Sequence, residues 1–251
     1  MPADLVAVVP AAGRGTRLGT QVPKVFVEVA PGVRVWDLVA SRLASVAAEI
    51  HLVLAPEGLA YFEALGRPVP AGVRLSTSVQ TSPTGMGDAL FGAAAHWREA
   101  ANVLVVWGDQ VGLSQTTAAE TARRQREATG PTVTLPLVAT QRPYVHYAFE
   151  HERLVRVAQA REGDACPEEG LADVGLFAMS TGSLEAAWER YLASGRARGA
   201  RTGETNLLPF FAHLSTAEGF AVQVVSVRDP EEARGLNNAD DLAYVRARLA
   251  R

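Results

Sequence analysis

Short runs of β-branched and aliphatic residues recur along this chain, separated by longer amphipathic stretches, and this alternation restricts the fold more than any other feature. Strands are expected over residues 5–9, 51–54, 73–76, 103–106 and 132–138, with helices near 36–48, 57–65, 87–99 and 116–129 between them. The pattern predicts an α/β chain with a Rossmann-like, mostly parallel central sheet flanked by helices. Right-handed crossovers then bring the loops after the strands to one edge, where open α/β sheets bind ligands. After residue 138 the texture changes. Stretches 144–149, 154–158 and 172–179 read as further strands around a polar segment, 160–170, and form a small β subregion. A helix near 183–193, a basic loop 196–201, a helix 205–218, a strand 221–227 and a closing helix 239–249 complete the chain. No internal repeat or long linker interrupts it. One domain over residues 1–251 is expected, with two halves, 1–138 and 139–251.

The first strand runs into a glycine-rich turn, Ala11-Ala12-Gly13-Arg14-Gly15-Thr16-Arg17, followed at fixed distance by Pro23-Lys24. Gly13 and Gly15 can adopt positive φ and turn backbone N–H groups toward phosphate oxygens, with Thr16 beside them, while Arg17 and Lys24 supply positive charge. A dinucleotide fingerprint would need glycine or alanine where Leu18 stands. A P-loop would need its lysine directly after a glycine, whereas Lys24 follows Pro23. The glycines alone also fit an ordinary βα turn; the whole string points to a nucleoside triphosphate.

Composition bounds the possibilities. A net charge of −3 and a pI near 6.0 provide no basic field for nucleic acid. The single cysteine, Cys166, has no partner for a disulfide or a zinc site, which suits a reducing cytoplasm. The N-terminus lacks a basic leader, and no run of about 20 apolar residues exists, so no membrane association is expected. Glu150-His151-Glu152 reads as a solvated hairpin tip rather than a metal site, and the four tryptophans are too dispersed for a stacking platform. No heptad seam sets an oligomeric state.

Asp109 follows the apolar run 103–107 and Gly108, so its carboxylate emerges at a strand end, a place suited to a magnesium ligand, although an aspartate there can also serve as a turn or helix cap. Farther on, Asn238 is a plausible N-cap for the last helix, with Asp240 and Asp241 complementing its dipole.

These landmarks make the chain similar, nearly end to end, to the sugar-phosphate nucleotidylyltransferases, and closest to the uridylyltransferase domains that make UDP-N-acetylglucosamine in bacteria. Four anchors carry the resemblance: the glycine turn with Pro23-Lys24; Gln80 and Gly85-Met86-Gly87-Asp88-Ala89; Gly108-Asp109; and Gly203-Glu204 with Gly235-Leu236-Asn237-Asn238. The resemblance implies that Asn237 joins Asp109 on magnesium. It also implies that Ala11, Ala12, Gly13, Gln80 and Gly85 read the base, with Met86 where the relatives carry threonine and Pro10 where they carry leucine. On the acceptor side it aligns Val145 with a glycine, His146 with an arginine, Gln159 with a glutamate and Asp173 with an asparagine, and it matches Glu204 to an acceptor-loop glutamate. The second, acyl-transferring domain of the relatives has no counterpart here.

The expected chemistry is magnesium-dependent transfer of a nucleotidyl group, with UTP favoured, to a sugar 1-phosphate or similar phosphorylated small molecule. An ionised acceptor oxygen attacks the α-phosphorus in line, and pyrophosphate leaves. Arg17 neutralises the triphosphate and Lys24 holds the α-phosphate and acceptor. Two other readings stay open. The changes at Met86, Val145, Gln159 and Asp173 also suit a cytidylyltransferase acting on a phosphonate or another non-sugar acceptor. A non-catalytic nucleotide sensor on the same fold is the third.

Overall fold

The computed structural model describes residues 3–13, 19 and 22–250. Its main sheet has eight strands: β1 (Leu5–Ala11), β4 (Glu49–Leu54), β5 (Arg74–Val79), β6 (Asn102–Val106), β7 (Thr132–Gln141), β10 (Glu169–Asp173), β11 (Leu176–Ser180) and β12 (Ala221–Val227). The order is β10-β7-β11-β6-β1-β4-β5, with β12 along β7. Strands β5, β4, β1 and β6 are mutually parallel, and β12 is parallel to β7. The antiparallel β11 is wedged between β6 and β7. Two small antiparallel pairs lie outside this sheet: β2 (Glu28–Ala30) with β3 (Val33–Arg34), and β8 (Val145–Glu150) with β9 (Arg153–Gln159).

Alternation along β1 shows how the sheet is buried on both faces. Leu5, Ala7 and Val9 join one apolar cluster, and Val6 and Val8 join the other. The first cluster is covered by α1 (Val35–Ala44), α2 (Pro56–Ala64), α4 (Gln115–Glu127) and α7 (Ala239–Leu249). The second is covered by α3 (Met86–Gly92), α5 (Leu184–Ala193) and α6 (Leu208–Ala217). Helix starts follow local chemistry. Ser114 caps α4 by accepting from Thr117 N at 3.0 Å, Asn238 caps α7 by accepting from Asp241 N at 2.9 Å, and Pro56 opens α2.

Several expected elements differ. The strand expected over 172–179 is two strands, β10 and β11, parted at Val174-Gly175. There Gly175 has φ +70, and a Cβ would come within 2.8 Å of the Trp107 ring. The helix expected over 87–99 ends at Gly92 and gives way to a 3₁₀ turn, Ala94–His96, where Trp97 Nε1 donates to Leu90 O at 2.9 Å. The helix expected from 36 to 48 stops at Ala44, and the one expected from 205 starts at Leu208. Glu150-His151-Glu152 is the β8–β9 turn, as read from the sequence.

Candidate active site

The ends of β1, β5 and β6 meet at one edge of the sheet. Here Gly108 donates its N–H to Pro10 O at 3.2 Å, and a Cβ on Gly108 would stand 2.7 Å from that of Ala11. The glycine is therefore needed for close approach rather than flexibility. It presses the loop carrying Asp109 against Ala11-Ala12.

Three predicted residues converge on this loop. Lys24 opens a 3₁₀ turn, Lys24–Phe26, whose Val25 and Phe26 are buried, so the backbone is anchored while the ammonium reaches out. That ammonium forms an ion pair with Asp109 and donates to Asn237 Oδ1 at 3.3 Å. Lys24 and Asp109 keep 18% and 26% of their side-chain surface exposed, so the pair is sheltered but open to a ligand. The Asn237 turn is tied to the same loop. Leu236 N donates to Asp109 O at 2.9 Å, Gln110 pairs with Gly235 as an isolated bridge, and Asn237 N donates to Asp241 Oδ2 at 2.9 Å. Residues 85 and 213 positions from Lys24 thus present two oxygens to one cation.

This donor set fits magnesium. Asp109 and Asn237 offer hard oxygens, an ion that keeps most of its waters needs only one or two protein ligands, and the Lys24 ammonium already holds a positive charge at both oxygens. Among the described residues no group of three or more His, Cys, Asp or Glu gathers as a richer metal site.

In the loop expected to meet the base, Gln80 Nε2 donates to Gly85 O at 3.1 Å and to Thr84 Oγ1 at 3.3 Å, which closes the segment between β5 and α3. Gly85 has φ +125, and a Cβ there would lie 2.5 Å from Thr205 O. Thr205 N donates to Thr84 O at 2.7 Å, and Gly87 N to Thr205 O at 3.1 Å. This stitch joins the base-side loop to the segment carrying Glu204. Met86 packs against the core cluster of α3, α5 and α6. Ala12 is buried and Ala11 half-buried, and among the described residues nothing lies within 4 Å of a Cβ placed on Gly13. Gly13, which can adopt positive φ, is outside the left-handed region here. Gly15, Thr16 and Arg17 lie outside the described residues.

The residues expected to face the acceptor form a second group. Val145 and Gln159 are cross-strand neighbours on β8 and β9, with Gln159 buried. The His146 ring lies against Gly170 of β10, and its shielded Nδ1 has no hydrogen-bond partner among the described residues. Tyr144 is exposed. Asp173 Oδ1 accepts from Gly175 N at 2.8 Å and Oδ2 from the Tyr147 hydroxyl at 3.2 Å. Burial pushes the Asp173 carboxyl above its usual range, and the negative charge of Asp109 adds to the rise, against the pull of the Gly175 and Tyr147 donors. Asp109 and Asp173 are therefore within electrostatic reach of each other. Glu204 pairs with Arg161, so it orders the loop rather than capping α6, whose N-cap is Leu207. Sequence reasoning missed Tyr147, Arg161 and Thr205. Tyr147 is buried on β8, and no local signal named its partner.

The chain is a nucleotidyltransferase: a family profile of such enzymes matches residues 7–174, a span that contains Lys24, Gln80, Gly85 and Asp109. By that match it belongs to the family described as the MobA-like NTP transferase domain. The bifunctional protein GlmU of Parvibaculum lavamentivorans is 29% identical over 247 residues, which cover 97% of this chain and 52% of GlmU. The chain spans about half the length of the curated relatives it matches. Among solved structures, a chain from Bacillus anthracis provisionally named a glucose-1-phosphate thymidylyltransferase superposes with a TM-score of 0.74 at 13% identity, covering 97% of this chain and 94% of its own. The 4-diphosphocytidyl-2C-methyl-D-erythritol synthase of Anaerococcus prevotii gives 0.66 at 14% identity, with 99% and 97% covered. At such identities the likeness is one of fold. Among the described residues no helix is long and apolar enough to cross a membrane.

Proposed function

We propose that this enzyme transfers a nucleotidyl group from a nucleoside triphosphate, UTP in the leading reading, to a sugar 1-phosphate or a similar phosphorylated small molecule, releasing pyrophosphate in a cytoplasmic setting. The observation that carries the reading is the convergence of Lys24, Asp109 and Asn237 at the edge where the glycine turn ends. Residues 1–251 act as one transferase unit, with residues 1–138 holding the nucleotide and 139–251 the acceptor.

An acceptor phosphate oxygen forms a bond to the α-phosphorus as the bond to the bridging oxygen of pyrophosphate breaks. The acceptor oxygen is already ionised near neutral pH, so no protein base is required and the residues act by alignment and charge. Asp109 and Asn237 would hold magnesium, which when bound supplies positive charge to the phosphate oxygens. Lys24, on its anchored turn, neutralises charge on the α-phosphate and the incoming acceptor, and Arg17 does so on the leaving pyrophosphate. Ala11, Ala12, Gly13, Gly15 and Thr16 cradle the triphosphate, and Gln80, Gly85 and Met86 border the base. Val145, His146, Gln159, Asp173 and Glu204 line or order the acceptor side. Removing one such cation typically costs on the order of 10² to 10³ in rate.

A second reading is supported by Asp173. A carboxylate bonded by Tyr147, on a chain that carries the β-branched Val145 where the relatives have glycine, suits an acceptor bearing an amine or hydroxyl near its phosphorus, as in cytidylyl transfer to a phosphonate. The deciding experiment measures pyrophosphate release with each ribonucleoside triphosphate and magnesium against sugar 1-phosphates and small phosphonates, with Lys24→Ala as control. Turnover with UTP and a hexose 1-phosphate, lost in the control, supports the leading reading. Turnover confined to CTP and a phosphonate replaces it with the second. Triphosphate binding with no turnover on any acceptor replaces both with a sensor.

A further inference from the structure

On the far side of the Asp109 loop from the sheet edge lies a cavity of about 220 Å³, bordered by α1, the start of α4, the 230–234 turn and the end of α7. Three arginines line it, Arg42, Arg234 and Arg248, with Glu231 as the carboxylate among the lining residues. Their charges are unequally answered. Arg234 is fully engaged: Nε meets Glu231 at 3.0 Å, Nη1 meets Asp241 at 3.1 Å, and the guanidinium covers the Tyr244 ring at 4.0 Å. Arg248 is half exposed and reaches Asp229 only at 3.7 Å.

Arg42 is the exception. It is half-buried and donates Nη2 to Val111 O at 3.1 Å, while its Nη1, shut off from solvent, has no hydrogen-bond partner among the described residues. It forms no ion pair among them either. A buried donor left unpaired costs about 1–3 kcal/mol, and more when charged, so such a group marks a place where a partner belongs. Burial lowers the Arg42 pKa from its ordinary value, the like charge of Arg248 lowers it further, and Glu232 partly offsets both. Glu232 itself is spent on the start of α4, accepting from Ser114 N at 2.9 Å. Ser114 and Gln115, at the positive end of the 13-residue helix α4, complete this wall.

We propose that this cavity is a second anion site, separate from the transfer site, that takes a small phosphate-class ligand between Arg42 and Arg248. Guanidinium groups suit phosphate oxygens because their donors lie in a planar fork. The volume exceeds that of a single water, which claims about 30 Å³ in the liquid, and admits a phosphate or pyrophosphate. The position matters because the walls are the backs of the catalytic loops. Val111 lies two residues beyond Asp109, Gly112 N donates to Arg234 O at 3.1 Å, and Arg234 shares Asp241 with Asn237 N.

The test is calorimetric titration of the full chain with inorganic phosphate and, separately, with pyrophosphate, at an ionic strength held constant with chloride. The proteins are the unmodified chain, Lys24→Ala, Arg248→Gln and Arg42→Gln. The expected result is a saturable site that persists in Lys24→Ala and weakens at least tenfold in Arg248→Gln. Tighter pyrophosphate than phosphate identifies the reaction product as the source, and the reverse identifies free phosphate. Arg248 is half exposed on the last helix, so its variant keeps the test clear of folding defects that Arg42→Gln can cause by losing the Val111 contact. Binding that vanishes in Lys24→Ala, or that is unchanged by Arg248→Gln, or no saturable binding at constant ionic strength, overturns the proposal. None of these outcomes depends on which nucleotide or acceptor the transfer site uses.

Discussion

Replacing Gly85 by alanine tests whether the base-side loop is held as described. Gly85 combines φ +125 with ψ 168, a region essentially reserved for glycine, and placing a side chain there costs on the order of 1–3 kcal/mol in backbone strain. The new Cβ would also lie 2.5 Å from Thr205 O and 2.6 Å from Thr205 N. Both are backbone atoms fixed by hydrogen bonds to Thr84 and Gly87, so the neighbour cannot simply rotate away. Overpacking of this kind adds roughly another 1–3 kcal/mol. The sum, about 2–6 kcal/mol, is a large fraction of the roughly 5–15 kcal/mol that holds a typical domain together. Urea unfolding followed by tryptophan fluorescence and far-ultraviolet circular dichroism measures it. Gly92→Ala is the control: nothing lies within 4 Å of its Cβ position at the end of α3, and alanine there should be neutral or stabilising by up to about 1 kcal/mol. If Gly85→Ala unfolds within about 1 kcal/mol of the unmodified protein and still binds nucleotide, the stitch to Thr205 is not what fixes this loop.

Other outcomes follow from buried polar groups. His51 is fully buried, bonded through Nδ1 to Ser76 at 2.7 Å and through Nε2 to Ser78 at 2.8 Å, and burial foremost, with His96 stacked on it, lowers its pKa to about 4. Its ordinary value is near 6.5, so the unfolded chain takes up the proton first on acidification. Stability should fall as pH drops from about 6.5 toward 4, by roughly 3 kcal/mol, and His51→Asn should flatten that part of the stability–pH curve measured by urea titration. Tyr147→Phe removes a donor to Asp173. Nuclear magnetic resonance titration should show the Asp173 carboxyl moving further up, with about 1–2 kcal/mol of stability lost. Glu162 accepts from Arg201 N at 3.0 Å, Thr202 N at 3.2 Å and Thr202 Oγ1 at 2.6 Å, so Glu162→Gln should raise hydrogen exchange across residues 199–204 while leaving the main sheet protected.

The strands were legible because their apolar runs are buried on both faces of the sheet. Residues 103–106, all buried, needed almost no correction for that reason, whereas 221–227 stood out by its run of β-branched residues although only Val225 and Val227 are buried. The division of 172–179 escaped because Gly175 reads locally as a strand residue, and its positive φ and its closeness to Trp107 and Gln110 appear only in the tertiary structure. The β2–β3 hairpin is too short to stand out as a pattern. Its turn is marked by Gly32, at φ +71, whose N–H donates to Glu28 Oε1 at 2.9 Å. At the site, Asp109 could be placed from its strand end, and Asn237 from the family resemblance. That Lys24 would bridge the two is a matter of tertiary contact across more than 200 positions, which no local signal carries. Tyr147 and Arg161 went unnoticed for the same reason. Their partners, Asp173 and Glu204, are set by strand register and loop path.

The wedge of β11 between β6 and β7 has a consequence for how the chain is made. β6 ends at Val106 and β11 begins only at Leu176, so about 70 residues must leave the ribosome before the outer rim of the parallel half can be closed. At roughly 5–20 residues per second that interval is several seconds to over ten. Through it β6, apolar over Val103–Val106, stands as an unpaired border, the kind of strand that recruits other chains. A nascent or truncated chain ending short of Leu176 would therefore be the form most in need of a chaperone, and the enzyme's hazard lies in its biosynthesis rather than in its finished state.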